Sequence, residues 1–190
     1  MKRFAALLTT ACLLLAVAAP AAVAADAPTR VRLTTSAGVI ELEVDAARAP
    51  QSTANFLDLV DSGFYEGLIF HRVVANFVIQ AGGYDSGLNY REPPRKVPNE
   101  AANGLKNLKG TVAMARLDDP DSADAQFFIN VRDNPHLDRA PGKPGYTVFG
   151  KVVSGMEVVV DIELVETHIA GGMAGVPVKP IVIQKAERIE

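Results

Sequence analysis

Arg72 and Gln80 are polar side chains inside otherwise apolar runs, which makes them candidates for chemistry. They belong to two predicted strands, residues 69–74 and 77–80, which end at the turn signal Gly82-Gly83. An arginine in the middle of an apolar strand needs either a partner or a groove that is open to water. The chemistry that Arg72 offers is hydrogen-bond donation from a permanently charged, rigid guanidinium.

Strand alternation decides which of these side chains meet. It predicts that Phe70, Arg72 and Val74 share one face of the first strand. Val78 and Gln80 share one face of the second strand. We therefore expect Arg72, Val78 and Gln80 to line one patch that is partly apolar and partly hydrogen-bonding, as a peptide groove requires.

Other kinds of catalysis find no suitable motif in the sequence. Nucleophilic hydrolysis needs a Ser, Thr or Cys beside an oriented histidine, and none of His71, His136 and His168 lies in a recognisable motif. A lone strand histidine such as His71 is more typical of a hydrogen-bonded structural residue. No H-x-x-x-H or CxxC pattern indicates a metal site, and the acidic segment 118–124 lacks the spacing of a calcium loop. No cofactor and no metal are predicted.

Short strands and two helices must position these residues. The predicted strands are residues 31–36, 39–44, 69–74, 77–80, 110–116, 126–131, 146–152 and 180–189. Apolar residues at a spacing of three and four predict one helix that opens at Pro50 and a second over 155–163. The predicted fold class is therefore mainly β (α+β), and eight antiparallel strands are enough to close a barrel filled by side chains.

Phe127 and Phe128 are adjacent and must point to opposite faces of their strand. We expect Phe127 in the core and Phe128 in a groove, because Phe128 shares its face with the polar Gln126; two stacked core layers are the alternative. Long loops are predicted at residues 84–108, 134–145 and 171–180. The first is interpreted as a surface loop beside the groove, since long loops within compact domains are usually functional.

Residues 1–25 have the pattern of a cleaved secretory signal peptide. A basic start precedes an apolar stretch over residues 4–17 and the small-x-small site Ala22-Val23-Ala24. The apolar run is too short and alanine-rich to favour a membrane anchor, and the surroundings of Cys12 fit lipidation badly. The predicted mature domain, residues 26–190, is exported to the periplasm, with the extracellular medium as the alternative.

Cleavage would change the composition of the chain. Cys12 is the only cysteine, so the mature chain could form no disulfide. The 19 basic residues become 17 against 22 acidic ones, and the resulting formal charge of −5 without a basic stripe argues against nucleic acid as a partner. About 165 residues are enough for one domain with a real core. We expect a monomer that contacts no membrane after cleavage.

Three segments of the chain resemble those of a known family. FHRVVANFVIQAGG, residues 70–83, resembles the FHR-x-x-x-x-F-x-x-Q-G-G signature of the cyclophilin-type peptidyl-prolyl cis-trans isomerases. GTVAMAR at residues 110–116 and QFFINV at 126–131 resemble two further segments of that family, with Ala125 in place of the usual Ser. The resemblance covers residues 31–189 and implies a closed eight-stranded barrel with a helix over each end. It looks closest to the bacterial periplasmic branch.

The resemblance also implies roles for individual residues. Arg72, Phe77 and Gln80 would be catalytic. The substrate-binding residues would be Val78, Ala115, Arg116, Gln126, Phe128, His136, Leu137 and Tyr146. Within this set the apolar side chains would form a proline pocket, and the backbone around Ala115 would hold an extended peptide. The two glutamines would hydrogen-bond the substrate and position Arg72.

Prolyl isomerisation requires only the chemistry that these residues offer. The barrier to amide rotation is about 18–20 kcal/mol, and uncatalysed Xaa-Pro exchange takes tens to hundreds of seconds. In the twisted transition state the prolyl nitrogen loses conjugation and becomes a better hydrogen-bond acceptor. A fixed guanidinium near that nitrogen would bind the twisted form more tightly than either planar form. An apolar pocket that excludes water would strengthen this interaction.

Besides Ala125, five positions depart from the usual family pattern. Val78 replaces a common Met, Arg116 replaces a common Asn, and Tyr146 replaces a common His. Ala81 replaces a glycine, which is compatible with the turn only if its φ is negative. His136 stands where cyclosporin-sensitive members carry Trp, so weak cyclosporin binding is predicted.

Three functions are compatible with these patterns to different degrees. The first is an exported prolyl isomerase whose partners are proline-containing unfolded or extended polypeptides. The second is a proline-peptide-binding chaperone module with little turnover, although binding alone would not need Arg72. The third is a lipocalin-like barrel around a small apolar ligand, against which the large interior-type Phe residues count.

Overall fold

The structure is a computed structural model that describes residues 29–189, so the predicted signal peptide lies outside the described residues. The strands in this part of the chain are β1 (Arg30–Thr35), β2 (Gly38–Val44), β3 (Arg72–Val74), β4 (Val78–Ala81), β5 (Thr111–Met114), β6 (Phe127–Asn130), β7 (Val148–Ser154), β8 (Thr167–Ala170), β9 (Met173–Pro177) and β10 (Ile183–Ile189). The α-helices are α1 (Pro50–Asp61) and α2 (Met156–Glu163). None of the described helices has the length and apolar character needed to cross a membrane.

Eight of these strands form one antiparallel sheet in the order β10-β1-β2-β7-β5-β6-β4-β3. The two ends of the sheet meet, because residues just before β3 bond to the beginning of β10. The amide of Phe70 donates to the carbonyl of Ile181 at 2.9 Å. The amide of Ile183 donates to the carbonyl of Leu68 at 2.8 Å. The predicted fold, a closed eight-stranded antiparallel barrel with two helices, is confirmed.

The interior of the barrel is packed with side chains. Inward-facing residues of β1 and β2 are fully buried, as strand alternation requires: Val31, Leu33, Ile40 and Leu42. Phe56 of α1 closes one end of this core against Phe127 and Phe149, with ring centroids 5.5 and 5.1 Å apart. Since large aromatic side chains fill this space, the interior argues against a barrel that carries a small ligand.

The long segment between β4 and β5 holds the start of α1. No side chain of the preceding residues caps this helix. Instead, the carboxylate of Glu100 accepts hydrogen bonds from the amides of Gln51 and Ser52 at 3.0 and 2.8 Å. Two of the amides that a helix start leaves unpaired are thereby satisfied from a distant part of the chain.

The prediction of a loop over residues 171–180 is wrong in part, because β9 lies within it. β8 and β9 form a separate two-stranded antiparallel sheet, and the turn between them contains Gly171 and Gly172, both with positive φ. β8 and the start of β9 are largely exposed, so they lack the apolar alternation by which a strand is recognised in a sequence.

The prediction that Phe70 shares a face with Arg72 is also wrong. Phe70 is fully buried in the interior core together with Val73, whereas Arg72 lies outside it. The reason is the closure of the barrel: the chain pairs with the beginning of β10 at Phe70 and joins β4 only from Arg72 onward. The strand alternation therefore does not run without interruption from residue 69 to residue 74.

Candidate active site

A second apolar cluster lies apart from the interior core, and we call it the outer cluster. Its buried members are Val78, Ala113, Phe128 and Val148. The partly buried residues that pack against it are Phe77, Leu105, Ala115, Leu137 and Tyr146. Phe127 belongs to the interior core and Phe128 to the outer cluster, so the two rings point to opposite faces as predicted. Phe128 is only 4% exposed, so its place in a groove stays a prediction.

One row of directly opposed residues crosses five strands and builds the site. Arg72 lies opposite Gln80, and Gln80 lies opposite Phe128. Phe128 lies opposite Ala113, and Ala113 lies opposite Val148. Residues opposed in this way share a face of the sheet. The row therefore runs from a cation at β3, through an amide, to an apolar surface that ends on β7.

Arg72 is half-buried and retains the donors of its guanidinium. Its guanidinium carbon lies 5.7 Å from the centroid of the Phe77 ring. Within the part of the chain that the structure describes, no ion pair involves Arg72. A guanidinium that packs on an aromatic ring and has no carboxylate partner among the described residues is positioned to donate hydrogen bonds to a bound molecule.

The two glutamines form a hydrogen-bonded pair beside Arg72. Nε2 of Gln80 donates to Oε1 of Gln126 at 3.0 Å, and no hydrogen bond joins either of them to Arg72 in the described region. Gly83 makes room for Gln126, because a Cβ at position 83 would lie 2.8 Å from the side-chain Cδ of Gln126. Gly82 has φ +93 and approaches the carbonyl of Ala125 so closely that a Cβ would lie 2.6 Å from it.

Ala81 tolerates the loss of the family glycine. It ends β4, and it is not among the described non-glycine residues with positive φ, which are Asn76 and Leu88. The left-handed conformation falls instead on Gly82. Ala81 therefore meets the condition for replacing a glycine in this turn, which is a negative φ.

His71 is buried next to the site. Its ring lies 4.8 Å from that of Tyr84, and its Nδ1 has no hydrogen-bond partner in the structure. Burial lowers the pKa of His71 to about 4, and the nearby charge of Arg72 acts in the same direction. His71 is therefore neutral at pH 7. The predicted structural role stands, but the hydrogen bonding expected for it is missing at Nδ1.

The Arg116 side chain is bound to the protein itself. Its guanidinium carbon lies 4.5 Å above the Tyr146 ring, Nε donates to the carbonyl of Gly145 at 3.1 Å, and Nη1 donates to the carbonyl of Leu117 at 2.7 Å. Tyr146 in turn meets Phe128 edge-on at 5.7 Å. Arg116 thus fixes one wall of the outer cluster.

The backbone at Ala115 is also partly occupied. Its amide donates to the carbonyl of Gln126 at 2.9 Å, so this N–H is used within the protein. The predicted attachment of an extended peptide around Ala115 and Arg116 would therefore depend on other backbone groups there.

His136 and Leu137 lie on the short 3-10 helix Pro135–Leu137 at the rim of the outer cluster. The exposed His136 ring stacks on Phe77, with centroids 5.4 Å apart and an interplanar angle of 23°. Leu137 packs against the outer cluster. The structure thus places all eleven predicted site residues on or next to the row and the outer cluster.

Sequence reasoning missed three members of the outer cluster, Ala113, Val148 and Leu105. Two of them carried a signal, because Ala113 is two residues before Ala115 and Val148 is two residues after Tyr146, so strand alternation puts each pair on one face. Leu105 lies in the long irregular segment, where no periodicity indicates which side chains turn inward.

Comparisons with known proteins agree with this geometry. The family model described as Cyclophilin type peptidyl-prolyl cis-trans isomerase/CLD matches residues 30–188. Peptidyl-prolyl cis-trans isomerase A of Dickeya dadantii (strain 3937) is 53% identical over 169 residues, 89% of this chain and 89% of that protein. A crystal structure of a Cryptosporidium parvum cyclophilin type peptidyl-prolyl cis-trans isomerase has a TM-score of 0.72 and 26% identity, covering 86% of this chain and 99% of that chain. A crystal structure of that protein in the presence of the dipeptide Ala-Pro has a TM-score of 0.68 and 27% identity, covering 83% and 96%.

Proposed function

Because the chain belongs to the cyclophilin-type peptidyl-prolyl cis-trans isomerase family and is an isomerase of that class, we propose that it accelerates Xaa-Pro isomerisation in exported proteins. The proline ring would lie on the outer cluster, and Arg72 would stabilise the twisted amide. Residues 1–25 support export, since their pattern is that of a signal peptide. The periplasm is the proposed location, with the extracellular medium as the alternative.

The row from Arg72 to Val148 is the observation that carries this proposal. It sets a guanidinium that forms no ion pair with any residue from 29 to 189 at one end of an apolar surface, with the Gln80–Gln126 pair between them. Phe77, Phe128 and Leu137 would offer apolar contacts to a pyrrolidine ring. A substrate that lies along the row meets an apolar pocket and a cation at once.

Catalysis would follow from the different hydrogen-bonding capacity of the planar and twisted amides. The planar prolyl nitrogen is conjugated with its carbonyl and accepts a hydrogen bond poorly. On twisting, its lone pair becomes available, and an Arg72 donor would bind this state more tightly than either ground state. The outer cluster would exclude water from the bond and so strengthen the interaction.

The partners are proposed to be proline-containing unfolded or extended polypeptides. The Cryptosporidium parvum protein was crystallised in the presence of Ala-Pro, which supports proline recognition on this fold. The Gln80–Gln126 pair would bind the peptide backbone beside the proline, since side-chain amides both donate and accept.

The test compares Arg72→Ala with Arg132→Ala, which removes an exposed arginine that belongs neither to the row nor to the outer cluster. Isomerisation of a short Xaa-Pro peptide by the purified chain is followed directly. We expect Arg72→Ala to lose about 10²–10³ in kcat/KM, the usual cost of removing a transition-state donor. Arg132→Ala should match the wild type, and both variants should keep its melting temperature.

Two results would change the proposal. Nearly full activity of Arg72→Ala would remove Arg72 from the mechanism. No acceleration by the wild type would favour the proline-peptide-binding chaperone module. Export is tested in a separate experiment. Mass spectrometry of the protein from its own cells gives the mature N-terminus, which should lie near residue 26.

A further inference from the structure

A basic cavity of about 700 Å³ adjoins the outer cluster. It lies between residues 101–106 and 139–144. Leu105 belongs to both, since it lines the cavity and packs against the outer cluster. Lys106, Arg139 and Lys143 are its charged lining residues, and the described residues that line it include no Asp or Glu. A molecule that reaches the outer cluster can therefore extend into a positively charged recess.

This positive charge is local, because the chain as a whole is acidic. The formal net charge is −3, and it becomes −5 without the predicted signal peptide. A neighbouring cavity of about 930 Å³ has mixed charges on its lining, with Glu43 and Asp45 beside Arg48 and Lys151. A recess whose described charged lining residues are all cations, on an acidic protein, attracts an anionic group selectively.

Arg139 and Lys143 stand on a loop with a fixed shape. The amide and carbonyl of Ala140 bond to the carbonyl and amide of Lys143 at 3.1 and 2.8 Å. Where the loop returns, Gly145 has φ +72, and a Cβ there would lie 2.4 Å from the amide nitrogen of Arg139. Only glycine permits this approach, so the backbone that carries the two cations is organised before a ligand binds.

Two of the three cations lack an acidic partner. Lys106 lies 3.6 Å from the carboxylate of Asp138, whose other oxygen accepts the amide of Asn107 at 2.8 Å. Arg139 and Lys143 form no ion pair with any described residue. Their charge is therefore available to a ligand.

We propose that the basic cavity is a specificity subsite for an acidic side chain, Asp or Glu, that flanks the proline of the substrate. This inference rests on the proposed function of the row. The cavity adjoins the outer cluster through Leu105, and Arg72 stands at the β3 end of the row, where the prolyl nitrogen would lie. An extended polypeptide rises about 3.3 Å per residue, and because Leu105 lines both sites, a residue that flanks the proline would point its side chain towards the recess.

The test uses peptides that differ only in charge. A set of short Xaa-Pro peptides carries Glu, Gln or Lys at each of the two positions before and after the proline. The kcat/KM of the full chain is measured at low and at high salt. The subsite variant is Arg139→Gln/Lys143→Gln. The control is Lys96→Gln/Lys179→Gln, which removes the same charge from exposed lysines outside the cavity.

At one position, Glu should give a kcat/KM several-fold above Gln and further above Lys, mainly through KM. High salt should reduce the difference, since exposed charges are screened. Arg139→Gln/Lys143→Gln should abolish the preference for Glu and leave the rate with Gln peptides unchanged. The control variant should keep the preference for Glu.

Equal rates for Glu and Gln at every position would overturn the inference, as would a preference that survives in Arg139→Gln/Lys143→Gln. In either case, turnover of the Gln peptides would leave the proposed function intact. If no peptide were isomerised, the proposed function would fail. The same Glu and Gln peptides compared by calorimetric titration would still decide whether the subsite binds carboxylate.

Discussion

Acid should destabilise this protein through one buried histidine, His71. Its pKa is lowered from 6.5 to about 4, chiefly because burial disfavours the imidazolium, with the charge of Arg72 adding to the effect. The unfolded chain exposes the ring and binds the proton more readily. Above pH 6.5, His71 should therefore not reduce the free energy of unfolding. As the pH falls from 6.5 towards 4, this free energy should decrease. Below pH 4, His71 should contribute no further loss.

The size of this effect follows from the two pKa values. Each tenfold difference in proton affinity is worth about 1.4 kcal/mol, so the interval from 6.5 to about 4 corresponds to about 3 kcal/mol. His71 is only 3% exposed, so solvent screens this contribution little. A loss of this size is a large part of the stability of a typical domain.

The assay is urea unfolding at several pH values between 7 and 4 for the wild type, His71→Leu and His168→Leu. His168 is exposed on β8 and serves as the matched control. His71→Leu should flatten the decline by about 3 kcal/mol, and His168→Leu should leave it unchanged. The lowered pKa values of Asp45, Asp85 and Glu187 act mainly below this range and are common to all three proteins. An unchanged decline in His71→Leu would refute the reasoning.

The two neighbouring phenylalanines and His136 give further tests. Phe127→Ala should cost about 3–5 kcal/mol in urea unfolding, because it opens a cavity against Phe56 in the interior core. Phe128→Ala should cost less stability and chiefly raise KM for Xaa-Pro peptides; the reverse order would contradict the division between the core and the outer cluster. Cyclosporin should inhibit the wild type weakly and His136→Trp more strongly, since a larger apolar ring would replace the imidazole stacked on Phe77. Nanomolar inhibition of the wild type would refute this.

Much of the barrel could be predicted because period-two alternation marks strands with one buried face. β1 and β2 show it clearly, and the choice between Phe127 and Phe128 followed from the same rule. β8 could not be found in this way, since most of its residues are exposed and no core imposes a pattern on them. Phe70 was misplaced because barrel closure, a long-range event, interrupts the local alternation.

The residue types of the site were predictable, but their arrangement in one row was not. The alignment of Arg72, Gln80, Phe128, Ala113 and Val148 depends on the register of four ladders, one of which shifts between positions 112 and 113. Register of this kind is fixed by turns, bulges and packing between distant segments. Resemblance to a family supplied the predicted site residues, and strand alternation carried a signal for Ala113 and Val148. Only the ladders show that these two residues continue the row.

Barrel closure next to Arg72 sets the order in which the site can be assembled. Phe70 and Ile181 are separated by 111 positions, so bringing them together has the entropic cost of closing a very long loop. Arg72 follows this junction by two residues, and its strand lies at the end of the described sheet, next to β4. We therefore expect a chain that folds from its N-terminus to complete its site only after β10 has docked. Proteolytic loss of β10 should silence the enzyme even though every proposed catalytic residue remains on the fragment.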